Sequence, residues 1–170
     1  MISLDFNLNY EVLAKIGEGH FAQVYLARST PASLLYEKND LVAIKRVVKN
    51  KIFKEAALAE INALLELREV EGVTQILQIY ETNNSFHIIM DYVEGSCLYQ
   101  YIRKFSKLDK NIGQKIFKQM VETVHKIHLK GFLHRDLKPQ NILLDLSVYD
   151  DPLVKIADFG LAEAISRDSN

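Results

Sequence analysis

At Gly95 the apolar pattern of this chain changes period, and that change narrows the folds open to it more than any other feature. Before it, β-prone runs alternate with turn residues. Residues 10–16 and 22–27 flank Gly17-Glu18-Gly19-His20-Phe21, which predicts a hairpin with a glycine-rich tip. A polar loop with Pro31 covers 28–40, and 41–48 reads as a third strand. Residues 76–81 and 86–91, separated by Thr82-Asn83-Asn84-Ser85, read as two more. One helix is predicted among them, over 54–67, with Ala57, Ile61, Leu64 and Leu65 at helical spacing. After Gly95, 98–104 reads as a short helix. Ile112, Ile116, Met120, Val124 and Ile127 line a longer one ending near Gly131. Residues 142–144 and 153–156 are short β runs around a loop with Asp150-Asp151-Pro152. An α+β fold of two lobes is expected: a β-rich lobe over 1–92 and a mainly helical one over 93–170. Clefts between such lobes commonly bind ligands.

Composition narrows the function classes. The 170 residues carry 48% hydrophobic side chains, ample for a core. A formal charge of −1 with mixed signs gives no electrostatic case for nucleic acid or an anionic membrane. The longest apolar runs, such as 86–90, are far too short to cross a bilayer. Met1-Ile2-Ser3-Leu4-Asp5 shows no secretory signal. The single cysteine, Cys97, rules out an intrachain disulfide and a cysteine-rich metal site. A cytoplasmic or nuclear location is expected.

Two short motifs carry the chemistry. His134-Arg135-Asp136-Leu137-Lys138-Pro139-Gln140-Asn141 brings a base, a cation and an oxygen ligand into one loop. Seventeen residues after Asn141, Asp158-Phe159-Gly160 places a second oxygen ligand on a turn. Taken in order with the segments before them, these motifs resemble the eukaryotic protein kinase family from about Tyr10 to Ala162, in its serine/threonine form because Lys138 stands in the Asp-Leu-Lys-Pro-x-Asn pattern.

That resemblance implies a kinase-like bilobal fold: a five-stranded N-lobe with one helix, then an incomplete, mainly helical C-lobe. It also implies ATP and Mg²⁺ as cofactors and a protein substrate phosphorylated on Ser or Thr. Asp136 would accept the proton of the attacking hydroxyl, Lys138 would neutralise the transferred phosphoryl group, and Asn141 and Asp158 would hold Mg²⁺. Ile16, Gly17, Gly19 and Val24 match the glycine-rich loop, with Ala22 where the family has its third glycine. On its own that run fits an ordinary hairpin tip. Lys45, ending Val42-Ala43-Ile44-Lys45, matches the lysine on the α- and β-phosphates, and Glu60 rather than Glu55 or Glu66 its helix partner. A lysine ending an apolar strand is otherwise a solvated side chain. Met90 would shape the back of the pocket, and Asp91 and Val93 would meet the adenine edge through their backbones. Val24, Ala43 and Leu143 would sandwich the base. His134, Phe159, Leu64 and Ile79 would stack as a regulatory apolar column, and are expected in the core under either reading.

Cys97 falls on the lip of that pocket, open to pocket-directed electrophiles or else an inert half-buried thiol. His125 and His128 have a metal-binding spacing but no third ligand, which favours ordinary helix residues. The chain ends ten residues after Gly160, so a domain truncated after Asp-Phe-Gly is expected, with Ser166 and Ser169 left beyond it. The missing part would leave apolar surface on the long helix, to be covered by a partner chain. Two other readings stand beside the kinase: a nucleotide-binding, pseudokinase-like interaction module without efficient transfer, and a non-functional gene remnant.

Overall fold

The computed structural model describes residues 6–19, 22–34, 41–147 and 151–165. In chain order its elements are α1 (Phe6–Asn9), β1 (Tyr10–Glu18), β2 (Ala22–Ser29), β3 (Leu41–Val48), α2 (Lys51–Glu66), β4 (Ile76–Glu81) and β5 (Ser85–Asp91). There follow β6 (Gly95–Cys97), α3 (Leu98–Phe105), α4 (Lys110–Leu129), β7 (Phe132–Leu133), β8 (Ile142–Asp145), β9 (Leu153–Ile156) and β10 (Glu163–Ala164). A 3-10 turn, Pro139–Asn141, sits before β8. The described residues up to Ile61 form one compact unit with Gln75–Tyr92; Asn62–Thr74 and those from Val93 onward form the other. The expected α+β arrangement is present, with a five-stranded sheet and helix α2 first.

In the first unit the sheet order is β1-β2-β3-β5-β4, every pair antiparallel. Side chains alternate between faces along a strand, so the register sorts them. One face carries the core of Tyr10, Ala27, Val42, Ile44 and Ile89, with Tyr25, Leu77 and Tyr80 packed against it. Its two polar ends are satisfied: the Tyr10 and Tyr80 hydroxyls both donate to Gln78 Oε1, at 2.6 and 2.8 Å. Burial pushes the Tyr10 hydroxyl up to about 12. Helix α2 starts three residues before its predicted position because Asn50 caps it, its Oδ1 accepting from Phe53 N at 2.7 Å.

In the second unit, Asp109 caps α4 by accepting from Asn111 N and Ile112 N, and the helix stops at Gly131, whose φ is +81°. Its inner face buries Ile116, Thr123 and Ile127. Gln119 reaches from α4 to the strand pair β8–β9: its Nε2 donates to Pro152 O at 3.0 Å and its Oε1 accepts from Val154 N at 2.9 Å. The end of β9 is gripped from the other side, since Ile156 N donates to Gly72 O and Thr74 N to Ile156 O. Gly72 is required there: φ is +86°, and a Cβ would lie 2.0 Å from Thr123 Oγ1. Strands β6, β7 and β10 have two or three residues each, too few for any periodicity to mark them in sequence.

Candidate active site

The loop after β7 is organised around Asp136. Lys138 Nζ donates to Asp136 Oδ2 at 2.5 Å, and Asn141 Nδ2 donates to the same oxygen at 3.0 Å and to the Asp136 carbonyl at 2.9 Å. Two donors on Oδ2 orient the carboxylate and leave Oδ1 outside this pair of hydrogen bonds. The 3-10 turn sets Asn141, whose N–H donates to Lys138 O and whose carbonyl accepts from Ala157 N, both at 2.9 Å. With its amide hydrogens spent on Asp136, Asn141 has Oδ1 as a hard oxygen ligand.

His134 braces the loop. Asp136 N donates to His134 Nδ1 at 3.2 Å, so Nδ1 is the acceptor nitrogen. The ring proton therefore sits on Nε2, which donates to Ala157 O at 3.0 Å. Burial holds its pKa below the ordinary histidine value, against the Ala157 hydrogen bond, and keeps this neutral tautomer. Phe159 meets the ring edge-on at 4.7 Å and is fully buried, as Leu64 is nearly. Arg135 and Asp158 both have left-handed backbone, with φ of +66° and +64°. Such residues cluster where surrounding bonds over-determine the chain. Arg135 pairs with Glu163 on β10, an acidic residue with no signal in the sequence reading. Asn141 and Asp158 offer the donor set that suits Mg²⁺, which takes few protein oxygens and shares substrate phosphates. No group of three or more His, Cys, Asp or Glu forms a ready-made metal cage among the described residues.

The first unit holds a second cluster. Lys45 Nζ donates to Glu60 Oε1 at 2.5 Å, with side chains only 12% and 4% exposed. Glu55 and Glu66 are exposed on the same helix. Register puts Lys45 opposite Val24, Val24 opposite Gly17, and Ala43 opposite Met90, so all five share one face of the sheet, opposite the core cluster. Ile16 is exposed on β1, and Gly19 N donates to Ala22 O at 2.9 Å, while His20 and Phe21 of the hairpin tip lie outside the described residues. Asp91 exchanges bonds with Gln75: its N–H donates to Gln75 O at 3.0 Å and its Oδ1 accepts from Gln75 N at 2.7 Å.

In the second unit Val93 is half-buried, and Cys97, the N-cap of α3, lies directly opposite Leu143 across β6–β8. Ile79 is the exception to the core expectation. It is 40% exposed on β4, an edge strand, on the face away from the apolar cluster. His125 and His128 are exposed, and Ser166 and Ser169 lie outside the described residues. Among the described residues no helix is long and apolar enough to cross a membrane.

A family model described as "Protein kinase domain" matches residues 10–170. Similar proteins include CBL-interacting serine/threonine-protein kinase 19 of Arabidopsis thaliana, 34% identical over 90% of this chain and 30% of that protein. CBL-interacting protein kinase 11 of Oryza sativa subsp. japonica is 31% identical over 90% and 29%. Sperm motility kinase 2B of Mus musculus is 32% identical over 95% and 31%. The chain thus spans about 30% of the length of the curated relatives it matches.

Proposed function

This chain belongs to the protein kinase family, serine/threonine type, and from that membership we propose that it transfers the γ-phosphoryl group of ATP to a Ser or Thr hydroxyl of a protein. The observation that carries the reading is Asp136 held by Lys138 and Asn141. In the reaction the hydroxyl oxygen bonds to the γ-phosphorus, the bond to ADP breaks, and Asp136 Oδ1 takes the hydroxyl proton. Lys138, already on the carboxylate, carries its charge to the phosphoryl oxygens. Asn141 and Asp158 would hold Mg²⁺, which when bound neutralises phosphate charge.

Lys45 binds the α- and β-phosphates, and Glu60 keeps its ammonium in place. Gly17 and Gly19 bring backbone amides close to the phosphates. In the first unit Val24, Ala43 and Met90 are the proposed base contacts, with Ile16 beside them; in the second they are Leu143 and Cys97. The backbones of Asp91 and Val93 meet the adenine edge. Phe117, Val121 and Leu129 are exposed along α4, which supports contact of further protein with this helix.

The test is purified protein with Mg²⁺–ATP and a generic Ser/Thr peptide. Transfer that falls by about 100-fold or more in Asp136→Ala, with nucleotide binding retained, is expected. Tight binding without transfer in the wild type favours the interaction module instead. Transfer indifferent to Asp136→Ala removes the assignment of the base.

A further inference from the structure

We propose that Glu163 is a positioning residue: its carboxylate holds the Arg135 guanidinium and thereby fixes the backbone that presents Asp136, an inference resting on the phosphoryl-transfer reading above. Arg135 immediately precedes Asp136 and has a φ of +66°, a conformation that a residue with a Cβ keeps only when its surroundings hold it there. On the Asp136 side the restraint is visible: its N–H bonds His134 Nδ1, and its carbonyl accepts from Asn141 Nδ2. At Arg135 it is the side chain that is held, by Glu163.

The fold delivers Glu163 to that place. Ala162 N donates to Phe159 O at 3.0 Å, so the chain turns directly after Asp158. It then returns as β10 along β7, with Glu163 opposite Leu133 and Ala164 opposite Phe132, and Ile165 N donates to Gly131 O at 2.7 Å. This register leaves Glu163 two residues short of Arg135, within reach of a long side chain. The ion pair therefore ties the segment leaving Asp158 to the loop carrying Asp136. An arginine suits the task because its planar fork engages a carboxylate in a fixed orientation. The side chains are 50% and 59% exposed, so the contact is screened by salt and its effect is modest.

The test compares wild type, Glu163→Gln, Arg135→Gln and the double variant, reading kcat and KM for ATP at low salt together with hydrogen exchange at the Asp136 and Ile165 amides. Glu163→Gln is expected to lower kcat by about twofold to fivefold, to leave KM for ATP within about twofold, and to speed exchange at both amides. The double variant should lose no more than the worse single one, because Glu163 acts through Arg135. Raising the salt should bring the wild-type rate down towards that of Glu163→Gln. Additive losses, or a Glu163→Gln protein with unchanged kcat and exchange, overturn the proposal. If the wild type transfers no phosphate, the phosphoryl-transfer reading fails, and amide exchange still decides whether Glu163 fixes the loop: unchanged protection in Glu163→Gln overturns it.

Discussion

Lys45 and Glu60 form an ion pair with both side chains nearly excluded from water, and such pairs are costly to break by halves. Glu60→Ala takes a carboxylate away from a buried ammonium and is expected to cost about 3 kcal/mol in urea unfolding. Glu55→Ala, exposed on the same helix, should stay within about 0.5 kcal/mol, and equal losses would contradict the burial argument. The histidines set a pH dependence. His134 and His87 are both held below the ordinary value of 6.5, chiefly by burial, with the Arg46 charge adding to the effect at His87. A lowered folded-state pKa means that the unfolded chain binds more protons below pH 6.5, so stability is full above that pH and is lost as the pH falls beneath it. Urea midpoints at pH 7.5 and 5.5 should fall in that order. A midpoint that held or rose at 5.5 would be inconsistent with two rings, one buried and one half-buried, whose pKa is held below the ordinary value.

Two contacts at the scale of elements are sharper than any propensity. Gly72 and Gly131 both have left-handed backbone, yet of the two only Gly72 is crowded, by Thr123; among the described residues nothing lies within 4 Å of a Cβ at Gly131. Gly131→Ala should therefore cost only the conformational term, about 1–2 kcal/mol. Gly72→Ala adds overpacking against α4, for a total of about 2–4 kcal/mol. Thermal unfolding of the pair checks this, and the reverse order would mean that the close approach is absent in solution. Gln119 supplies two bonds from α4, one to Pro152 O just before β9 and one to Val154 N within it. Gln119→Ala should cost about 1–2 kcal/mol and speed hydrogen exchange at the Val154 amide, leaving the Phe53 amide unaffected. The long elements were legible in sequence because apolar spacing over many residues marks them, as with Ile116 and Ile127 on α4. Strands β7 and β10 were not, since two residues have no period and each exists only because the other is beside it.

For the molecule as a whole, the two clusters divide the expected kinetics. Asp136→Asn should lower kcat by about 100-fold or more with ATP affinity within about threefold, whereas Glu60→Gln should weaken ATP binding first; rapid-quench transfer and nucleotide titration separate the two. Much of this was readable from the chain alone. The run from His134 to Asn141 concentrates its chemistry within one loop, so spacing in sequence is nearly spacing in space. Lys45 and Glu60, fifteen residues apart, needed the phase of a helix to meet, and Ile79 was misjudged because strand spacing does not say which strand is the edge. By itself, then, the sequence determined the family and the order of the longer strands and helices, because these rest on residue type and local period. Only the tertiary structure decided which nitrogen of His134 carries its proton, that Gly72 must approach Thr123, and that Glu163 comes back to Arg135. Each of these depends on two segments brought together by the pairing and packing of elements distant in the chain.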